Sequence, residues 1–161
     1  MAMNVHLELT ANGVTIEGES TVVTAGGEDV DNTIECLSYR DHAESAFQRG
    51  LPTGVLSMEP IRIVKRIDKS TPLLFKAMDF SEALEGNFKF FRTSPVDGVT
   101  EFFLTVTGEQ GRVAFINRTS PATDFETANV PMTEEVGFVF RKYTITYETG
   151  GQAHSTEIRP G

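Results

Sequence analysis

The chain has 161 residues, 39% of them hydrophobic and 23% charged, which fits a single globular domain large enough to bury a full core. Its 23 acidic against 14 basic residues leave a net charge of −9, which argues against nucleic acid or anionic lipid as a main partner, because phosphate binding needs clustered Lys and Arg. Cys36 has no second cysteine to pair with, and no apolar run approaches the roughly 20 residues of a membrane span.

Val5, Leu7 and Leu9 alternate with Asn4, His6 and Glu8, the pattern of a half-buried strand. Asn12-Gly13 then favours a two-residue hairpin turn, and Val14 and Ile16 begin the returning strand. TAGGEDVDN reads as a polar loop, and TIECLSYR, Thr33 to Arg40, as the third strand. Asp41 to Gly54 is small, polar and broken by Gly50, Pro52 and Gly54, so it is expected to be a long loop, a feature usually kept for function. VLSMEPIRIVKRI returns to strand character, with Pro60 marking an edge or bulge.

Thr71 or Ser70 can cap a helix with Pro72 at its start. Leu73, Leu74, Ala77 and Met78 form its apolar stripe, Ala83 and Leu84 are candidates to extend it, and Gly86 is the expected stop. NFKFFRT, VTEFFLTVT and RVAFINR follow as three strands of a meander, with turns expected at Asp97-Gly98 and at GEQG. A second long loop, TSPATDFETANVPMT, leads to a last strand. There the apolar parity runs Val136, Phe138, Phe140 and then flips to Tyr143, Ile145, Tyr147, which implies a bulge or a change of buried face. Residues 149–161 are expected to be a flexible tail. About eight or nine strands and one helix make a mainly β fold, an antiparallel β-barrel with one flanking α-helix, in one domain spanning 1–161.

Chemistry is hard to find. His6, His42 and His154 lack metal-ligand spacing, Cys36 fits a small core residue, and no nucleophile elbow, phosphate loop or dinucleotide fingerprint is present. Asp41, His42 and Glu44 fit a solvated loop, and Glu134-Glu135 is expected to face water. Neither catalytic residues, a cofactor nor a metal is therefore expected. What stands out is aromatic strand surface. Phe102 and Phe103 must point to opposite faces, and Phe91 and Phe103 are candidates for a subunit interface, the alternative being burial under the helix or a loop.

IDKSTPLL (Ile67 to Leu74) between a strand and a helix, IEGES (Ile16 to Ser20), TIECLSYRD and MTEEVGFVFRKYTITYE together resemble the haemolysin-coregulated protein (Hcp) family, the tube proteins of bacterial type VI secretion systems. The resemblance runs from about Asn4 to Glu148. It implies a barrel with one flanking helix, assembled with itself into homohexameric rings that stack into a hollow tube. A contractile sheath ejects the tube, a spike protein tips it, and effector proteins ride in its lumen. The protein would be cytoplasmic until secreted, with no signal peptide and no membrane insertion. In the family the loop at Asp41 to Gly54 reaches an adjacent subunit or ring, making Phe47, Arg49, Leu51 and Pro52 the stacking candidates and Arg40 a lumen candidate. The chain departs from the pattern in a less glycine-rich loop and in Tyr39, where a tryptophan is common nearby. Alternatives are a phage-tail-like tube protein of another contractile injection system, a monomeric ligand-binding β-barrel and a hydrolase using surface carboxylates.

Overall fold

The computed structural model describes residues 4–122, 124 and 130–158. β1 (Asn4–Ala11) turns through Asn12 and Gly13, both at positive φ (49° and 81°), into β2 (Val14–Ile16), as an Asn-Gly turn should. The polar loop that follows contains a small hairpin, β3 (Thr24–Ala25) and β4 (Glu28–Asp29), turning at Gly26-Gly27.

The third predicted strand is split in two at Leu37. β5 (Ile34–Cys36) pairs with β1, whereas β6 (Ser38–Arg40) pairs with β9 (Ile61–Arg66). Between them the Leu37 amide donates to the Val64 carbonyl at 2.7 Å. The main sheet also contains β10 (Leu84–Thr93), β11 (Thr100–Thr119) and β12 (Thr133–Tyr147). Its order is β2-β1-β10-β11-β12-β9-β6, antiparallel throughout. It is not one uninterrupted closed ladder, because the split strand Ile34–Arg40 bridges its two ends. The result is the expected mainly β, antiparallel barrel-like sheet with one helix.

The interior is continuous. Leu7, Leu9, Ile34, Ile61, Ile63, Leu84, Phe88, Val136 and Phe138 are essentially inaccessible. At about 25 cal/mol per Å² of apolar surface removed from water, this cluster is the main favourable contribution to folding. The helix, α1 (Thr71–Asp79), packs Leu74 and Ala77 into the same cluster, so it completes the interior rather than covering an outer face.

Several expectations need correction. α1 stops at Asp79 and not at Gly86. Ser81 takes the left-handed conformation (φ 47°) and the Glu82 amide bonds the Ala77 carbonyl, closing the helix. Leu84 and Gly86 belong to β10, where a Cβ on Gly86 would press on Leu7 and Leu9. GEQG is not a turn: β11 runs straight through it. Gln110 (φ 55°) is an extra residue against β10, and the Phe140 ring lies over Gly108 and Gly111, where any Cβ would come within 2.5 Å of it. The flip of parity in β12 falls opposite this kink without a shift in the β11–β12 register.

The tail is not free either. β13 (Gln152–Glu157) pairs with β12 over Lys142 to Tyr147. The expected loop at Asp41 to Gly54 is a two-stranded hairpin, β7 (Ala43–Gln48) and β8 (Leu51–Met58), because Arg49 and Gly50 both take positive φ and form a tight turn. β1 is buried on both faces, since His6 is inaccessible alongside Leu7. Part of the second long loop, residues 123 and 125–129, falls outside the described residues.

Candidate functional site

Three features of the fold could carry function: a projecting hairpin, an outward sheet face and a buried ionic centre. β7–β8 pairs only with itself and stands off the main sheet. Phe47 and Leu51 are 69% and 70% exposed, and Val55 and Leu56 are also exposed. Phe47 pairs with Pro52, and Arg49 occupies the turn, so the structure brings together all four loop candidates at one exposed tip. An exposed apolar tip of this kind is the sort of surface that proteins use for contacts. At its foot Ala43, Leu56 and Met58 face Tyr143, Ile145 and His154 across an apolar cavity of about 220 Å³.

The interface candidates on β10 and β11 divide. Phe91 is 1% exposed, so it is not an open interface residue. The β3–β4 hairpin lies over it, its ring stands at 5.4 Å from that of Phe102 and at 5.6 Å from that of His6, and a Cβ on Gly26 would touch it. Phe103 is half-buried beneath the Arg92 guanidinium (4.4 Å from ring centroid), which also bonds Glu101 at 2.7 Å and the Tyr147 hydroxyl at 3.1 Å. Arg40 is exposed at the end of β6.

The buried ionic centre escaped sequence reasoning. Glu134 was expected to face water but is fully buried. It lies opposite Lys65, also fully buried, in the β9–β12 ladder. The Lys65 ammonium stands 2.6 Å from Glu134 Oε1 and 2.9 Å from Asp68, and donates to the Arg66 carbonyl and the Thr71 hydroxyl. Arg118 binds the second Glu134 oxygen at 3.1 Å. The Thr71 hydroxyl donates to Glu134, and the Ser70 hydroxyl to Asp68. Ser70 and Thr71 therefore make no ordinary helix cap; IDKST holds the start of α1 against a buried charge pair. The signal was present: Lys65 shares the inward parity of Ile61 and Ile63, and Glu134 that of Val136 and Phe138.

This centre is saturated with internal partners, which suits a structural role. Burial pushes the Cys36 thiol well above its usual range, so it is a poor nucleophile. Burial also lowers the His6 imidazole below its usual value, against a smaller opposing effect of Glu35. Among the described residues, no group of three or more His, Cys, Asp or Glu side chains is placed to hold a metal ion, and no helix is long and apolar enough to cross a membrane.

Comparison with known proteins agrees with the fold. The chain is 31% identical over 113 residues to the major exported protein of Pseudomonas aeruginosa PAO1, the match covering 70% of this chain and 66% of that protein. Its fold matches a crystal structure of an Hcp protein at a TM-score of 0.84 and 20% identity, covering 99% of this chain and 100% of the other. It also matches Hcp1 of E. coli EAEC 042 (TM-score 0.83, 24% identity, 98% and 100% covered) and secreted protein Hcp3 of Pseudomonas aeruginosa (TM-score 0.75, 23% identity, 99% and 100% covered). Residues 7–147 match the family described as type VI secretion system effector, Hcp, and with the barrel-like sheet, the single helix and the IDKST junction in place, the chain belongs to that family of secreted tube proteins.

Proposed function

We propose that the chain is the structural subunit of a type VI secretion inner tube. Copies form hexameric rings, the rings stack into a hollow tube, and sheath contraction drives the tube out behind a spike protein with effectors in its lumen. The chain stays in the cytoplasm until ejection and catalyses no reaction. The observation that carries this reading is the β7–β8 hairpin, an arm whose tip exposes Phe47 and Leu51 and whose strands, among the described residues, pair only with each other. A ring or stack needs heterologous contacts, in which one surface of each copy meets a different surface of the next. The hairpin tip supplies the first surface, with Phe47, Arg49, Leu51 and Pro52 as the stacking residues. The half-buried Phe103 and the exposed Arg40 are assigned to the subunit boundary and the lumen respectively.

The test is solution mass by light scattering behind size exclusion. A mass near six subunits supports the ring, and a stable monomer at high concentration overturns a ring that forms unaided. A Phe47→Ser/Leu51→Ser variant should keep its rings and lose their stacking into tubes. Unchanged tubes would remove the hairpin from the stacking role.

A further inference from the structure

We propose that the segment joining β2 to β5, residues 17–33, is an acid-released strap, and that its trigger is His6 beneath it. The strap carries the β3–β4 hairpin, whose strands pair only with each other, so among the described residues no ladder joins it to the main sheet. Its backbone-to-backbone hydrogen bonds, such as Val30 to Val23 and Gly18 to Asn32, run within itself. Side chains hold it down. Val30 is fully buried, Gly26 lies against the Phe91 ring and the Phe102 backbone, and the Thr33 hydroxyl meets His6 Nδ1 at 3.0 Å. Nearer solvent, Thr21 donates to Glu35 and Lys69 to Asn32. A cleft of about 540 Å³ undercuts one side, with Glu8 and Asn87 of the sheet and Asp31 and Thr33 of the strap among its walls.

His6 is inaccessible and only half satisfied. The Thr33 hydroxyl donates its proton to the Val30 carbonyl at 2.7 Å, so towards His6 it can only accept. Nδ1 therefore carries the proton of the neutral ring, and Nε2 is a lone pair with no partner among the described residues. Protonation at Nε2 puts a full charge, and an N–H without an acceptor, in a site closed to water. The ring itself cannot leave, because β1 is paired with β10 on one side of His6 and with β5 on the other. The strap can move, and lifting it admits water to Nε2 and bares the buried Phe91 ring.

The charged groups around the ring do not supply the missing acceptor. Glu35 of β5 already accepts from Thr21 and stands near Arg66, and Lys89 of β10 is paired with Glu8 of β1 at 2.8 Å. Asp29 and Asp31 of the strap line the open cleft. Opening takes up a proton that the closed form refuses. It is therefore favoured as the pH falls below about 6.5, by up to about tenfold per pH unit until the closed ring titrates too. The inference stands whether or not copies of the chain form rings.

The experiment is hydrogen–deuterium exchange of the full chain at steps between about pH 7.5 and pH 4.5, corrected for the intrinsic pH dependence of exchange. In wild type, peptides covering residues 17–33 should lose protection about tenfold by pH 5, starting below about pH 6.5, while those covering β10 to β12 keep theirs. His6→Phe fills the place of the ring without a titrating nitrogen, and His6→Asn keeps an N–H donor for Thr33. In either variant the strap should hold its protection to within about twofold down to pH 5. Wild type alone also decides the matter if both variants misfold. A loss that begins only below about pH 5 belongs to the carboxylates and overturns the proposal. Unchanged strap protection, an acid loss that persists in a folded variant, or a loss shared equally by β10 to β12 would each overturn it too.

Discussion

β9 and β12 carry charge on both faces, and the two faces treat it oppositely. Inward, Lys65 and Glu134 meet in register with no access to water, and Asp68, Arg118, Thr71 and the Arg66 carbonyl saturate them. Outward, three residues earlier on β9, Arg62 faces Arg40 and has the Phe115 ring beneath it. The difference follows from solvent. A buried ion must be paired because its hydration cannot be recovered, whereas an exposed ion can wait for a partner at little cost. The inner pair therefore belongs to folding, and the outer arginines add little to it.

The strongest way to break this contrast is Glu134→Ala. It leaves the Lys65 ammonium buried with Asp68 as its remaining carboxylate, and is expected to cost about 3–5 kcal/mol in urea unfolding. Arg62→Ala, on the opposite face of the neighbouring strand, should stay within about 0.5 kcal/mol of wild type. If the two variants unfold alike, the division between the faces is wrong.

Gly137→Ala sharpens the contrast from the outer side. Its Cβ would stand 2.2 Å from the Phe115 ring, so the ring that supports Arg62 must move. A loss of about 1–3 kcal/mol is expected by the same denaturation measurement. A neutral result would mean that Phe115 swings away freely and does not fix Arg62.

His6 offers a third comparison, an ionisable group buried without an ion pair. Its Nδ1 meets the Thr33 hydroxyl at 3.0 Å, and its Nε2 has no partner among the described residues. Glu35 from β5 and Lys89 from β10 lie opposite it in the two ladders. Because burial lowers its pKa from the usual 6.5, the unfolded chain takes up a proton that the folded chain refuses. The stability it protects is full above about pH 6.5 and falls as the pH drops through the lowered folded value. His6→Asn should flatten that loss in urea midpoints taken across this window. An unchanged pH profile would assign the acid sensitivity to the carboxylates.

The smallest expected effect on folding lies at the hairpin tip. Phe47→Ser/Leu51→Ser should shift stability by about 0.5 kcal/mol or less, since both side chains already face water. A large destabilisation would show that the hairpin folds back on the chain and is not an open arm.

Much of the fold was legible locally. Asn12-Gly13 announced its hairpin, Ser-Thr-Pro placed the start of α1, and alternation located most strands. The misses share a cause. Gly86 and GEQG carried turn chemistry that packing overrode: the interior needs Gly86 beneath Leu7 and Leu9 and needs Gly108 and Gly111 beneath Phe140. Arg49-Gly50 had the composition of a tight turn, but a two-stranded arm that lacks the apolar alternation of a half-buried strand looks like a loop. Of the candidate surfaces, the tip residues were legible from their exposed setting. Phe91 was misjudged because the strand that bears it is covered by β3–β4, distant in sequence.

The order of apolar and polar residues determined that this chain is mainly β, where its helix begins, and the family to which it belongs, because these depend on neighbours close in the chain. Tertiary structure alone decided which charges are paired and which are open. Lys65 and Glu134 are 69 residues apart, and Arg40 and Arg62 belong to separate strands. Whether a charge is buried, matched or opposed depends on strands meeting in register, and the energy of that choice is set by the water that the fold excludes.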